Sequence, residues 1–137
     1  MASRKTAVTV SEIMTSQVRT ARPSQPLEEI LDLLKQEHCH HVPIVDQGRP
    51  VGMVSARDVV HLARRRDGEE FCIDVDRQDS VGDAMNEALV TIHADEPVDL
   101  AIERIGRGDI HALVVLDDDG KLAGIITHND LLGFLID

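Results

Sequence analysis

The sequence predicts an α/β fold made from one β-α-β-β-α unit written twice. Three observations carry that expectation. The first is self-similarity. Sliding the chain by 71 positions lays Val10 on Val81, Met14 on Met85, Thr20 on Thr91, Pro26 on Pro97, His40 on His111 and Asp46 on Asp117. One extra residue in the Asp117-Asp-Asp119 turn moves the offset to 72, and Gly48 then meets Gly120, Gly52 meets Gly124 and Asp58 meets Asp130. The second is periodicity. Leu27, Ile30, Leu31 and Leu34 recur at i, i+3, i+4, i+7, and Val98, Ala101, Ile102 and Ile105 repeat that helical stripe. The third is punctuation: Asp46-Gln-Gly48-Arg and Asp117-Asp-Asp-Gly120 are turn sequences set between apolar runs.

Each element follows in order. A short segment, Ser11 to Met14 or Gly82 to Met85, leads to a small strand near Val18–Ala21 or Leu89–Ile92. Pro26 and Pro97 then open helices reaching about Glu37 and Arg107, because proline in a first turn lacks only an N–H that would be unpaired there. Two apolar strands come next: Val42–Val45 with Val51–Ser55, and Leu113–Leu116 with Leu122–Thr127. Closing helices are expected from Asp58 to Arg66 and from Asp130 to the chain end. The first copy occupies 8–66 and the second 81–136, joined by an Asp-, Glu- and Gly-rich linker, 67–80. One copy alone buries little apolar surface. Two copies packed sheet to sheet about a pseudo-twofold axis would remedy this and leave two equivalent clefts suited to small ligands.

Composition narrows the function. The 137 residues carry 25 acids against 14 bases, a formal charge of -11. Duplex nucleic acid needs a basic face, and single strands need aromatic platforms. With two Phe, no Tyr and no Trp, the chain offers neither. The core must be aliphatic. The two cysteines, Cys39 and Cys72, form no CxxC pair and fit a reducing, cytoplasmic setting. No apolar run approaches a membrane span, and no signal-peptide pattern follows Met1.

The motifs resemble a tandem pair of CBS domains, the Bateman module, of the stand-alone kind. They are Val10-Ser-Glu-Ile-Met-Thr15, His41-Val-Pro-Ile-Val-Asp46 and Gly52-Met-Val-Ser-Ala-Arg-Asp58 in the first copy. In the second they are Val81-Gly-Asp-Ala-Met85, Ala112-Leu-Val-Val-Leu-Asp117 and Gly124-Ile-Ile-Thr-His-Asn-Asp130. The resemblance implies binding and regulation rather than catalysis. The expected ligand is an adenosine compound: AMP, ADP or ATP first, S-adenosylmethionine or NAD less so. No resident cofactor is implied. Asp58 and Asp130 would accept ribose hydroxyls, and Ser55 and Thr127 would hydrogen-bond phosphate or ribose. The family's clefts are composite. Thr20, Ala21 and Arg22, with Cys39 and His40, would complete the Thr127/Asp130 cleft. Thr91, Ile92 and His93, with Ile110 and His111, would complete the Ser55/Asp58 cleft. A homodimer of four CBS units and an effector protein are the implied partners.

Plainer readings stand beside these. Ser55-Ala-Arg-Asp58 and Thr127-His-Asn-Asp130 each match a helix-capping box, worth about 1 kcal/mol without any ligand. A carboxylate 4 Å from a phosphate is repelled by about 4 kcal/mol at an effective dielectric of 20, so Asp58 and Asp130 suit ribose. Phosphate needs cations, for which Arg57, His128, His40, His41, His111 and Arg22 are the candidates. Arg57 and His128 hold matching positions, so the Ser55/Asp58 site should prefer more phosphate. His38-Cys-His-His41 could suggest zinc, but it enters a strand, where side chains alternate between faces, and no second ligand pair follows. Asp117-Asp-Asp119 suits a solvated turn better than a cation site. Arg64-Arg-Arg66, near an expected helix end, would complement the helix dipole. No nucleophile–base–orienter set is visible, so an enzyme is not expected. The alternative to a sensor is a ligand-free module that dimerises or docks on a partner.

Overall fold

The computed structural model describes residues 8–35, 40–65, 70–72 and 80–136. In chain order the elements are α1 (Val10–Ile13), α2 (Glu28–Lys35), β1 (His41–Asp46), β2 (Arg49–Ser55), α3 (Ala56–Val60), β3 (Arg64–Arg65), β4 (Phe71–Cys72), α4 (Val81–Ala84), β5 (Thr91–His93), α5 (Val98–Gly106), β6 (Ala112–Leu116), β7 (Leu122–Thr127) and α6 (His128–Leu135). This is the expected mixed α/β pattern, twice over.

The backbone forms two units whose limits differ from those of the sequence repeat. One is Arg19–Ala88; the other ends at Val18 and resumes at Leu89. Each copy's leading segment therefore belongs with the other copy's sheet. Backbone hydrogen bonds show why. Thr15 exchanges N–H···O bonds with Ile125 of β7, at 2.9 and 3.0 Å, and Asn86 does the same with Met53 of β2, at 2.8 and 3.0 Å. Each segment satisfies donors and acceptors on an otherwise open strand edge.

Within the unit Arg19–Ala88, β1 and β2 pair antiparallel, His41 opposite Ser55 and Val42 opposite Val54. The turn between them sets Gln47 at φ 55° and Gly48 at φ 83°, the paired positive values a tight hairpin favours. The small strand expected near Val18–Ala21 shrinks to one parallel bridge, Ala21 to Ile44. Its counterpart β5 pairs with β6 over three residues, Thr91 to His93. Proline explains the difference. Ala94 extends the ladder with an N–H donated to Leu116 at 2.9 Å, whereas the matching residue, Pro23, has no N–H to give.

Ala21, Leu27, Ile30, Leu34, Val42, Ile44, Val54, Val59 and Val81 make the core of this unit. Val10, Val98, Ala101, Ile105, Leu113, Val115, Ile126 and Leu131 make that of the other. The helical stripes thus face inward, with Leu31 and Ile102 half-buried at their margins. Among the described residues the buried side chains of both cores are aliphatic, with half-buried Phe134 packed against the second. At roughly 1.5–3 kcal/mol per buried aliphatic side chain, this burial dominates the stabilisation of each unit.

Two expectations are corrected. Helix α3 ends at Val60 rather than near Arg66, and Arg64–Arg65 instead pairs antiparallel with Phe71–Cys72. Arg64 and Arg65, which resembled a helix C-terminus, are drawn into a two-residue ladder instead. Part of the stretch read as linker is likewise paired. Residues 66–69 and 73–79 lie outside the described residues.

Candidate functional site

Six of the expected site residues, Ser55, Arg57, Asp58, Thr127, His128 and Asp130, lie at two strand-to-helix junctions, β2 to α3 and β7 to α6. At the first, the Asp58 N–H donates to Ser55 Oγ at 3.2 Å, and the Ser55 N–H donates back to Asp58 Oδ2 at 2.8 Å. The Ser55 hydroxyl also lies 3.0 Å from Oδ2. This is a closed capping box, and it fixes the half-buried Asp58 carboxylate at the mouth of the helix. At the second, the Thr127 N–H donates to Asp130 Oδ2 at 2.9 Å, and the Thr127 hydroxyl lies 3.4 Å away. Capping and ligand binding are compatible here. The box occupies Oδ2 of each aspartate and leaves Oδ1 for other donors.

At Asp130 that other donor is a residue which sequence reasoning missed. The Thr15 hydroxyl donates to Asp130 Oδ1 at 2.8 Å, across 115 positions of chain. The segment pairing that sets Thr15 against Ile125 carries its side chain to Asp130. The repeat aligned Thr15 with Asn86, two short polar residues after a methionine, and nothing local revealed the contact. Asn86 does otherwise: its Oδ1 accepts the Ala88 N–H at 2.9 Å.

Each motif glycine meets the methionine of the other copy's leading segment. A Cβ on Gly52 would sit 2.5 Å from Met85 Sδ, and one on Gly124 would sit 2.6 Å from the Thr15 carbonyl oxygen and 2.8 Å from Met14 Sδ. Only glycine lets the leading segment approach the strand so closely.

The candidate cations divide between the units. Arg57 is exposed on α3, and His40 lies just before β1, its carbonyl accepting the Ala56 N–H at 3.1 Å. His41, half-buried, begins β1. In the other unit His128 opens α6 and stacks obliquely on His111, ring centroids 5.9 Å apart at 43°. Thr20, Ala21 and Arg22 share a unit with Ser55 and Asp58, and Thr91, Ile92, His93, Ile110 and His111 share one with Thr127 and Asp130. Ala21 is buried, Ile92 and Ile110 are half-buried, and Thr20, Arg22 and Thr91 are exposed. Cys39 and His38 lie outside the described residues.

His93 has a further tie. The Asp95 N–H donates to its Nδ1 at 3.0 Å, so Nε2 carries the hydrogen and faces Asp118 Oδ1 at 2.7 Å. Ligand-capable atoms of His93, Asp95 and Asp118 lie within 4.8 Å of one another. Both ring nitrogens are engaged, and the group acts as a brace between β5 and the β6–β7 turn. In that turn Asp117 Oδ1 accepts the N–H groups of Asp119, at 2.8 Å, and Lys121, at 3.0 Å. These bonds, that of Lys121 foremost, hold the Asp117 carboxyl below the usual carboxylate range. The tract is a hydrogen-bonded, solvent-facing turn, as its composition suggested.

The CBS domain family matches residues 10–65 and 81–137. A CBS domain-containing protein of Bacillus subtilis is 31% identical over 124 residues, covering 89% of this chain and 81% of that protein. An uncharacterized protein of Methanocaldococcus jannaschii is 28% identical over 125 residues, and the chain spans only 38% of its length. Among solved structures, CBSX2 of Arabidopsis thaliana in complex with AMP superposes with a TM-score of 0.77 at 24% identity, covering 93% of this chain and 96% of that one. The cytosolic domain of the Mg2+ channel MgtE in complex with ATP gives 0.67 at 26% identity, covering 88% and 46%. The CBS domain pair of protein MJ0100, in complex with methylthioadenosine and S-adenosylmethionine, gives 0.74 at 24% identity, covering 94% and 96%. Among the described residues no helix is long and apolar enough to cross a membrane. With both repeats matched and the fold shared, the chain belongs to the CBS domain family as a tandem pair.

Proposed function

We propose that this chain is a cytoplasmic regulatory module that senses adenosine nucleotides of the AMP, ADP and ATP class. The observation that carries the reading is the repeated junction. Each aspartate is fixed by a backbone N–H at one carboxylate oxygen while the other oxygen points away from the cap. An ionised carboxylate so held is an acceptor-only group suited to ribose hydroxyls. The ligands of CBSX2, MgtE and the MJ0100 pair all contain adenosine, which supports the class.

In this reading the CBS repeats are 8–66 and 81–136, with 67–80 between them. Arg57 gives the Ser55/Asp58 site a permanent charge for phosphate, at the position where the Thr127/Asp130 site has the imidazole of His128. The module binds rather than catalyses. It signals by favouring one of two states or partners through differential affinity.

Calorimetric titration with AMP, ADP, ATP, S-adenosylmethionine and NADH tests this, repeated on Asp58→Ala and Asp130→Ala. Micromolar binding, about -8 kcal/mol, is expected for a nucleotide. Each variant should lose roughly 1.5–3 kcal/mol at its own site, the worth of a hydrogen bond to a charged group. Absence of binding by every adenosine compound would refute the reading.

A second reading, a dimerisation or docking module, has one observation in its favour. Val60 of α3 and Leu132 of α6 hold matching positions and are 67% and 53% exposed, and Leu135 and Ile136 lie exposed beyond Leu132. Exposed apolar side chains repeated on equivalent helices suit a twofold interface. Sedimentation of Val60→Asp/Leu132→Asp against the unaltered chain separates the readings. If the unaltered chain is a dimer that binds no nucleotide, the second reading gains.

A further inference from the structure

Asp58 and Asp130 hold equivalent positions but do not have equivalent acceptors to offer. A carboxylate has about four lone-pair positions, two on each oxygen. Ser55 N–H and Ser55 Oγ–H take the two on Asp58 Oδ2, and Thr127 N–H and Oγ1–H take the two on Asp130 Oδ2. Oδ1 of Asp58 meets no donor among the described residues. Oδ1 of Asp130 already accepts Thr15 Oγ1 at 2.8 Å. Asn86, which stands where Thr15 does, directs its Oδ1 at Ala88 N–H instead. Two acceptor positions therefore remain at Asp58 and one at Asp130.

We infer that Thr15 is a specificity-determining residue, which makes the Thr127/Asp130 site a receptor for a single ligand hydroxyl while the Ser55/Asp58 site receives a vicinal pair. The inference rests on the proposed role of both carboxylates as ribose acceptors. It assigns the two sites different ligand classes. The Ser55/Asp58 site requires an intact cis-diol and so selects ribonucleotides. The Thr127/Asp130 site tolerates a ribose that has lost or modified one hydroxyl. The hydroxyl of Thr15 donates to a charged acceptor at short range, so a ligand hydroxyl can displace it only by replacing a strong bond with another of like strength.

The test compares AMP with 2′-deoxy-AMP by calorimetry, one site at a time. Asp58→Asn silences the first site while keeping an oxygen to accept the Ser55 N–H, and Asp130→Asn silences the second in the same way. With Asp58→Asn, the remaining site should bind the two nucleotides within about threefold. With Asp130→Asn, AMP should be preferred by about tenfold or more, the worth of one hydrogen bond to a charged group. Adding Thr15→Val to Asp58→Asn removes the competing hydroxyl at nearly constant volume and should raise the AMP preference to about tenfold. Thr15→Ser keeps the hydroxyl and should retain the low preference, which separates the hydroxyl's effect from any loosening of the fold. An unchanged ratio in Thr15→Val, with AMP still bound, overturns the inference and leaves the nucleotide reading standing. If neither nucleotide binds in any background, both fall together.

Discussion

Single side chains set the caps and the charges. Ser55 donates and accepts within one box, its Oγ receiving the Asp58 N–H at 3.2 Å, and Ser80 does the same with Asp83 at 3.3 Å. At Thr127 the bonds run to Asp130 Oδ2. Ser55→Ala is therefore expected to cost about 1 kcal/mol, and Thr127→Ala less, in urea unfolding midpoints. Two aspartates respond to acid. The Arg104 guanidinium, 2.7 Å from Asp109, and the Lys121 N–H at Asp117 hold these carboxyls below their ordinary value of 3.8. A carboxyl depressed in the fold stabilises it fully above the unfolded value, and that contribution fades as pH falls through the lower folded value. Asp117→Asn should thus flatten part of the loss of stability below about pH 4, followed as melting temperature against pH. The capping boxes were legible in the sequence because their partners lie three residues apart. Thr15 with Asp130 was not, because no local rule links residues on separate elements.

At the scale of elements, the leading segments are placed by glycine. Gly52 and Gly124 look interchangeable in the repeat, yet the structure separates them. An alanine at 52 meets the flexible thioether of Met85, which can turn aside. An alanine at 124 meets the backbone oxygen of Thr15, which cannot move without breaking its pairing with Ile125. Gly124→Ala is expected to destabilise by about 1–3 kcal/mol, and Gly52→Ala by less, in the same unfolding measurement. Because Thr15 would shift, Gly124→Ala should also, on the proposed reading, change nucleotide affinity at Asp130. The two hairpins, β5 and the helices α2 and α5 were readable from period and turn chemistry. The short third helix was not: Arg64 and Arg65 have good helix propensity, but pairing with Phe71–Cys72 overrides it.

For the molecule as a whole, charge and aromatic content are the governing quantities. A net charge of -11 repels itself in any folded state, so added salt should raise the melting temperature by a few degrees through screening. Without Trp or Tyr the protein is nearly silent at 280 nm, so a nucleotide retained through purification would dominate the absorbance near 260 nm. Its release on denaturation, followed by chromatography, identifies the base and the phosphate count. The sequence by itself determined the repeat, the aliphatic cores, the hairpin turns and the Ser/Thr-x-x-Asp junctions, because each depends on neighbours within a few residues or on composition. Only the tertiary structure decided which sheet each leading segment joins, and hence that Thr15 reaches Asp130 while Asn86 turns from Asp58. Those choices depend on strand edges that need partners, and the edge that supplies them lies far away along the chain.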